Sequence, residues 1–268
     1  IRLSLVGSEM CIRDSYAQGR AMGLASHLQL MDLGDLQLQG WADEAIATAQ
    51  IEGEILQINS VRASAARRLG LQDAKAMERD ARTEATLDVL QAAIEQSHQP
   101  LTHDTLHGWQ AALFPNGRSG IQKIRTGAYR DHAEPMQIVT PRLGKPDIVH
   151  YQAPDSADVQ AEMTRLIDWF NNNQNESDGL VRAALAHLWL ETIHPFEDGN
   201  GRVGRALVEM ALAQDLKTDK RLWSLSQQMW LDRAGYYAQL QGATGQANMD
   251  VTPWVQSVSY THLRAHAT

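Results

Sequence analysis

The chain has 268 residues, of which 43% are hydrophobic and 21% charged, and its formal net charge is −8. This composition is ordinary for a globular protein, while the excess of acid argues against direct nucleic-acid binding, which usually needs a basic face. No apolar run approaches the length of a membrane span, and a single cysteine excludes a disulfide within the chain, so we expect a cytoplasmic protein.

The two ends of the chain are set apart from the rest. The chain starts at Ile1 with no initiator methionine, which predicts a fragment. Residues 1–15 (IRLSLVGSEMCIRDS) and 257–268 (SVSYTHLRAHAT) resemble translated adapter sequence at the ends of some metagenomic assemblies, and we predict that both are non-native. The body between them divides into a predicted N-terminal helical region, residues 16–98, and a core region, residues 99–256.

The segment TAQIEG stands out in the N-terminal region. Its Thr48 and Glu52 are four residues apart and share one face of a predicted helix, together with Ala45 and Ile55. This position predicts partial burial of Glu52, and a buried carboxylate needs a partner. On the residues alone the alternative stays open that Glu52 and Glu54 are ordinary surface acids.

Apolar residues recur at helical spacing through most of the body, which predicts a mainly α fold. Asp155 and Asp178 precede two of these stretches and are predicted N-cap residues. The positions that we assign to helix cores are Leu87, Leu90, Ile94, Val159, Met163, Leu166, Ile167, Phe170, Val181, Leu185, Leu188, Val203, Leu207 and Met210.

The helical pattern breaks between Phe114 and Pro154, where prolines and glycines are frequent. Within this region, residues 137–139 and 148–151 have the composition of short strands. A β-hairpin or extended flap is the natural interpretation, and a plain surface loop is the alternative.

Residues 194–205, HPFEDGNGRVGR, hold the chain's most informative chemistry. Glycines let backbone N–H groups converge on an anion, and the N-terminus of a following helix adds the positive end of its dipole. Arg202 and Arg205 offer the fork geometry that phosphate oxygens accept. His194 beside such a cradle indicates a base for a nucleophile that attacks phosphorus, and Asp198 is a carboxylate suited to a metal ion. The segment predicts a nucleotide-using transferase, against the alternative of a helix–loop–helix junction with surface arginines.

This segment resembles the signature of the Fic family, His-x-Phe-x-Asp/Glu-Gly-Asn-Gly-Arg-x-x-Arg, at every specified position. The matching residues are His194, Phe196, Asp198, Gly199, Asn200, Gly201, Arg202 and Arg205. The segment TAQIEG is similar to the Ser/Thr-x-x-x-Glu-Gly/Asn inhibitory motif of Fic proteins through Thr48, Glu52 and Gly53. The resemblance implies a Fic-fold helical bundle with a short β-hairpin flap, with residues 99–256 as the catalytic core.

The resemblance also implies a reaction, the transfer of AMP from ATP to a Ser, Thr or Tyr hydroxyl of a target protein. His194 would take the hydroxyl proton, and Asp198 would hold Mg²⁺ against the phosphates. The residues that would bind the nucleotide phosphates are Gly199, Asn200, Gly201, Arg202 and Arg205. Glu52 would pair with Arg205 in the place of the ATP γ-phosphate and so inhibit the enzyme from within its own chain.

By the same resemblance, a flap before the signature would hold the target by strand addition, since an exposed strand edge pairs through its main chain. We place this role on Pro135, Met136, Gln137, Ile138 and Val139.

Other readings of the same site stay open. Removal of AMP or transfer of another nucleotide or phosphate group would use the same residues, and a catalytically inert regulatory binding protein is the non-enzyme alternative. A P-loop kinase is excluded, because no G-x-x-x-x-G-K-[ST] occurs. Self-modification and a homodimer are open as further partners, and no membrane partner is expected.

Overall fold

The computed structural model describes residues 16, 19, 23, 30–71, 79–140, 148–174, 178–218, 220–222, 224–244 and 250–265. Residues 1–15 therefore lie outside the described part of the chain. The described residues confirm the mainly α fold, with ten helices and two short pairs of strands. The helices are α1 (Leu30–Ile51), α2 (Ile58–Arg68), α3 (Ala81–Glu95), α4 (His103–Leu113), α5 (Ser156–Asn172), α6 (Gly179–Ile193), α7 (Asn200–Leu216), α8 (Leu225–Leu231), α9 (Arg233–Thr244) and α10 (Thr252–Ala265).

Helices α6 and α7 form the centre of the molecule and pack against each other along their length. Both are buried on all sides, because α3, α4, α5, α9 and α10 surround them. The apolar positions assigned to helix cores from their spacing are all buried. The loop between α6 and α7, which carries the signature, is therefore held between the two most enclosed helices of the fold.

A second apolar cluster joins α1, α2 and α3. A buried carboxylate also fixes α1 to the start of α8. Glu44 of α1 is fully buried and accepts hydrogen bonds from the Ser224 hydroxyl (2.8 Å) and the Ser226 amide (3.0 Å). Because a buried carboxylate is costly unless its oxygens are paired, these bonds specify how α1 docks on the rest of the protein.

Helix boundaries follow the sequence signals in most places. Asp178 caps α6 by accepting from the amides of Leu180 (3.0 Å) and Val181 (3.2 Å), as predicted. Asp155 occupies the N-cap position of α5 but makes no side-chain capping bond. Ile55, expected on the helix face of Thr48, lies beyond the end of α1 and is exposed, so that expectation was wrong.

The predicted hairpin is present. Strands β3 (Gln137–Thr140) and β4 (Ile148–Gln152) pair antiparallel, and their register shifts between Ile138 and Val139. The Tyr151 hydroxyl donates to the carbonyl of Thr192 at the end of α6, which ties this hairpin to the signature loop. A smaller hairpin, β1 (Arg118–Ser119) with β2 (Gln122–Lys123), was not predicted.

Residues 257–265, set apart in the sequence analysis, continue α10. Val258 of this stretch is buried in the main core, and Trp254 anchors the helix by donating from its indole nitrogen to the carbonyl of Ala184 (2.7 Å). The non-native origin of this end stays a prediction. In the described part of the chain, no helix combines the length and apolarity needed to cross a bilayer.

Candidate active site

The signature loop leaves α6 at a residue in a rare backbone conformation. His194 is the C-cap residue of α6, and its φ of 49° places it in the left-handed region. Arg130 holds the loop in this shape, since its Nε donates to the His194 carbonyl (2.9 Å) and its amide donates to the Pro195 carbonyl (2.9 Å). The imidazole is thereby presented at a fixed place beside the start of α7.

Asn200 closes the loop on itself. Its Oδ1 accepts from the amide of Phe196 (2.9 Å), and its Nδ2 donates to the carbonyl of the same residue (2.8 Å). Phe196 itself is fully buried against the Tyr129 ring, so the loop has an apolar anchor as well. Both side-chain polar atoms of Asn200 thus shape the loop, and the contact of Asn200 with the nucleotide phosphates stays a prediction.

Two glycines let groups approach the start of α7 closely. Gly199 has φ 89°, a conformation that side chains rarely adopt, and it turns the chain into α7. At Gly201 an added Cβ would lie 2.2 Å from Glu52 Oε1. The carboxylate of Glu52 therefore sits directly on the first turn of α7, where exposed amides and the helix dipole attract an anion.

The carboxylate of Glu52 is held there by Arg205. Arg205 Nη2 donates to Glu52 Oε1 (2.6 Å), and its Nε donates to the Thr48 hydroxyl (2.6 Å). The Arg205 side chain is only 3% exposed, whereas that of Glu52 is 27% exposed. Burial alone would raise the pKa of Glu52, but the charge and hydrogen bond of Arg205, with smaller effects of Arg202 and His194, outweigh it and lower that pKa. The predicted pair of Glu52 with Arg205 is present, and Glu52 is ionised.

Gly53 explains why Glu52 reaches this position. It adopts φ 78° immediately after the helix, and its amide donates to the Gln50 carbonyl (3.0 Å) while that of Glu54 donates to the Ala49 carbonyl (2.9 Å). These are the two bonds of a glycine-terminated helix end. The inhibitory-type motif thus ends α1 at the residue that contacts the signature.

Glu54 makes a second contact of the same kind, which the sequence analysis did not predict. Arg202 Nη1 donates to Glu54 Oε1 (3.1 Å), and the guanidinium lies over the Phe114 ring at 4.9 Å. The Arg202 side chain is 7% exposed and that of Glu54 is 31% exposed. Both residues line a cavity of about 560 Å³ between the start of α3 and the β1 hairpin. Each signature arginine therefore holds one carboxylate from the end of α1.

His194 is an imidazole kept neutral by its surroundings. Burial lowers its pKa, and a hydrogen bond with the backbone of Glu191 opposes this effect. A neutral ring can accept a proton, as a general base must.

Asp198 projects from the loop beside Arg202, and its Oδ2 accepts a hydrogen bond from the hydroxyl of Ser119. A cluster of three acidic, histidine or cysteine residues suited to a metal ion is absent from the described residues. Mg²⁺ commonly binds proteins through one or two carboxylates together with substrate phosphates, so a single carboxylate next to an anion site fits that ion only when a nucleotide is present.

The predicted site residues lie together except for the flap. Thr48 and Glu52 bond to Arg205 of the signature although about 150 residues separate them in sequence, and Gly53 ends the helix that carries them. The flap, Pro135–Val139, overlaps strand β3, and its hairpin connects to the end of α6 through the Tyr151 contact. The residues that the sequence reasoning missed are Glu54, Ser119, Arg130 and Glu191, whose polar side chains lie outside the motifs and carry no local signal of their partners.

Comparison with known proteins gives consistent matches. Residues 100–212 match the Fic/DOC family, and residues 9–71 match a domain of unknown function, DUF4172. The protein adenylyltransferase fic-1 of Caenorhabditis elegans is 38% identical over 55 residues, 20% of this chain and 11% of that protein. The protein adenylyltransferase Fic of Nematostella vectensis is 33% identical over 123 residues, 42% of this chain and 29% of that protein. The chain thus spans less than a third of the length of these curated relatives. The crystal structure of a Fic family protein from Desulfovibrio desulfuricans G20 shares the fold, with a TM-score of 0.74 and 22% identity over 100% of this chain and 74% of that one.

Proposed function

From the match of residues 100–212 to the Fic/DOC family, we propose that the chain is a protein adenylyltransferase inhibited by its own helix α1. It transfers AMP from ATP to a Ser, Thr or Tyr hydroxyl of a target protein. The observation that carries the proposal is the anion site at the start of α7, where Arg202 and Arg205 each hold a carboxylate in place of a phosphate.

In the reaction His194 accepts the proton of the attacking hydroxyl, and that oxygen forms a bond to the α-phosphorus. The bond from the α-phosphorus to its bridging oxygen breaks, and pyrophosphate leaves. Gly199 and Gly201 contribute backbone amides at the helix N-terminus to the negative phosphates. Arg202 and Arg205 neutralise the outer two phosphates, and the cavity beside Arg202 offers room for the leaving pyrophosphate.

Mg²⁺ is the metal that this chemistry requires, and Asp198 is the residue that would hold it. When bound, such an ion neutralises charge that develops on the phosphates. The hydroxyl of Ser119 keeps one oxygen of the Asp198 carboxylate oriented.

Inhibition follows from competition for the arginines. With Glu52 on Arg205, the terminal phosphate of ATP has no guanidinium to bind, so the donor does not reach a productive line of attack. Glu54 on Arg202 adds to this effect. The enzyme becomes active when the end of α1 moves off α7, because only then do both arginines become available.

The β3–β4 hairpin supports a second part of the proposal, because among the described residues its sheet has only these two strands. The Tyr151 hydroxyl of this hairpin bonds to the carbonyl of Thr192, two residues before His194, so a target segment paired to the hairpin edge would bring a hydroxyl to the base. Pro135, Met136, Gln137, Ile138 and Val139 would form this docking edge.

AMP incorporation from α-labelled ATP with Mg²⁺ tests the proposal, using the chain itself and a cell lysate as acceptors. We expect weak labelling with the wild type, strong labelling with Glu52→Gly, and none with His194→Ala. Circular dichroism and ATP binding by calorimetry serve as controls, since His194→Ala should remain folded and still bind ATP.

The alternatives give different results in the same assay. A folded Glu52→Gly variant that labels nothing contradicts transfer. Release of AMP from a pre-labelled protein by the wild type, lost in Glu52→Gly, would instead indicate AMP removal with Glu52 orienting the water. Labelling from other nucleotides but not from ATP would assign another donor.

A further inference from the structure

Glu191 is a buried acid next to His194, and it has no role in the reaction as proposed above. It lies one turn before His194 on α6, with Oε2 at 3.8 Å from His194 Nδ1 and Oε1 at 4.0 Å from His187 Nε2. Its side chain is 11% exposed, and among the described residues Oε1 has no hydrogen-bond partner.

Such a group is expensive to keep in a protein interior. A buried carboxyl oxygen without a partner loses its hydration and gains nothing in return. The space around it is also tight, since a Cβ added at Gly204 of α7 would lie 3.1 Å from Oε1. Because an apolar residue would pack there at lower cost, a role in the chemistry of the neighbouring groups is the better explanation.

Charged and titratable groups face Glu191 from four elements. Burial, together with the charge of Glu52 at the end of α1, raises its pKa to about 7 against the opposing charge of Arg205 of α7. On its own helix, burial lowers the pKa of His187 to about 3, and the His187 ring bonds to the Tyr236 hydroxyl of α9 at 2.8 Å. His187 therefore stays neutral, and His194 is the neighbouring ring that gains charge during the proposed reaction.

We propose that Glu191 is a positioning residue for His194, whose carboxylate stabilises the imidazolium that forms when His194 takes the proton of the attacking hydroxyl. This inference rests on the proposed function. The proton moves from the hydroxyl to Nε2 of His194, while Glu191 faces the Nδ1 side and exchanges no atom. Departure of Glu52 removes a neighbouring negative charge, so the same movement that frees Arg205 also favours the ionised form of Glu191.

The experiment uses Glu52→Gly as the active parent and adds Glu191→Gln, Glu191→Asp or the control Glu95→Gln, an exposed acid on α3. We expect Glu191→Gln to lower kcat about tenfold with an almost unchanged KM for ATP, since one charge contact to the base is lost. The acidic limb of the pH–rate profile should move down by about one unit, because an imidazole without its anion is less basic. Glu191→Asp should recover part of both losses, and Glu95→Gln should match the parent.

A second measurement does not depend on activity. Titration of ¹⁵N-labelled histidine by NMR should give a lower His194 pKa in Glu191→Gln than in the parent. An unchanged His194 titration and pH profile in folded Glu191→Gln would overturn the proposal, even if kcat fell. A parent with no AMP transfer would contradict the proposed function, while the NMR titration would still decide the role of Glu191.

Discussion

The two carboxylates at the end of α1 should inhibit to very different extents, which Glu52→Ala and Glu54→Ala can measure. Glu52 makes a 2.6 Å bond to a guanidinium that is 3% exposed. A hydrogen bond between charged groups in such surroundings contributes about 1.5–3 kcal/mol. Because about 1.4 kcal/mol corresponds to tenfold, its removal should raise the initial rate of AMP transfer about 10- to 150-fold.

Glu54 should matter less. Its bond to Arg202 is longer, 3.1 Å, and its side chain is 31% exposed. Pairs open to solvent contribute about 0.2–1 kcal/mol, so Glu54→Ala should raise the rate only about 1.5- to 5-fold. The double variant tests whether the two contacts act independently, since the arginines are neighbours on one helix and their effects need not add.

Activity and stability should change in opposite directions in Glu52→Ala. Arg205 keeps its bonds to Thr48 but loses its counter-charge, which should lower the free energy of unfolding by roughly 1.5–3 kcal/mol. Saturating ATP should restore part of this loss, because a ligand that binds only the folded state stabilises it.

Initial rates with α-labelled ATP and urea denaturation supply the two readouts. Asp35→Ala, an exposed acid on α1, is the matched control and should change neither. A larger rate increase for Glu54→Ala than for Glu52→Ala would refute the ranking drawn from burial and bond length.

Three further outcomes are expected. In Gly201→Ala the new methyl group should push the carboxylate of Glu52 aside, but it would also occupy the anion position at the start of α7. ATP binding measured by calorimetry should therefore be weakened at least about tenfold. Increased AMP incorporation from α-labelled ATP would contradict this expectation. Asn200→Ala should lower the free energy of unfolding in urea by about 2–4 kcal/mol, since it leaves the buried backbone groups of Phe196 unpaired; a loss below about 1 kcal/mol would show that the loop does not depend on it. The pKa of Glu191 in the folded protein is raised to about 7, so the folded state favours the protonated carboxyl. Its contribution to the free energy of unfolding is therefore complete below about pH 4.5, the pKa of an unfolded glutamate, and is lost as the pH rises through 7. The glutamine of Glu191→Gln does not titrate, so the free energy of unfolding of this variant relative to wild type should increase by up to about 3 kcal/mol from about pH 5 to about pH 8. Urea denaturation at both pH values measures this change. The same stability difference at both pH values would refute the assigned ionisation.

The parts of the site that the sequence predicted are those whose causes are local. The signature residues lie within twelve positions, so the glycines and the following helix bring His194, Asp198 and the two arginines together with little help from the rest of the chain. The core positions followed from helical spacing for the same reason. Ile55 was misplaced because the helix was continued past Gly53, although a glycine after a helical stretch is itself a local stop signal.

Long-range partners depended on the tertiary structure. The pair of Glu52 with Arg205 was expected only through a family resemblance, since no rule of spacing links residues that lie 153 positions apart. Glu54 had the sequence context of a surface acid, and only the docking of α1 gave it Arg202.

The sequence by itself therefore determined the helices, the glycine turn before α7 and the side chains of the signature, because steric preferences and periodicity act over a few residues. Only the tertiary structure decided that Asn200 shapes the loop, that two carboxylates occupy the arginines, and that Glu191 lies beside His194. These contacts arise when helices distant in sequence exclude water between them, and each buried charge or amide must then be paired by whatever group packing brings within reach.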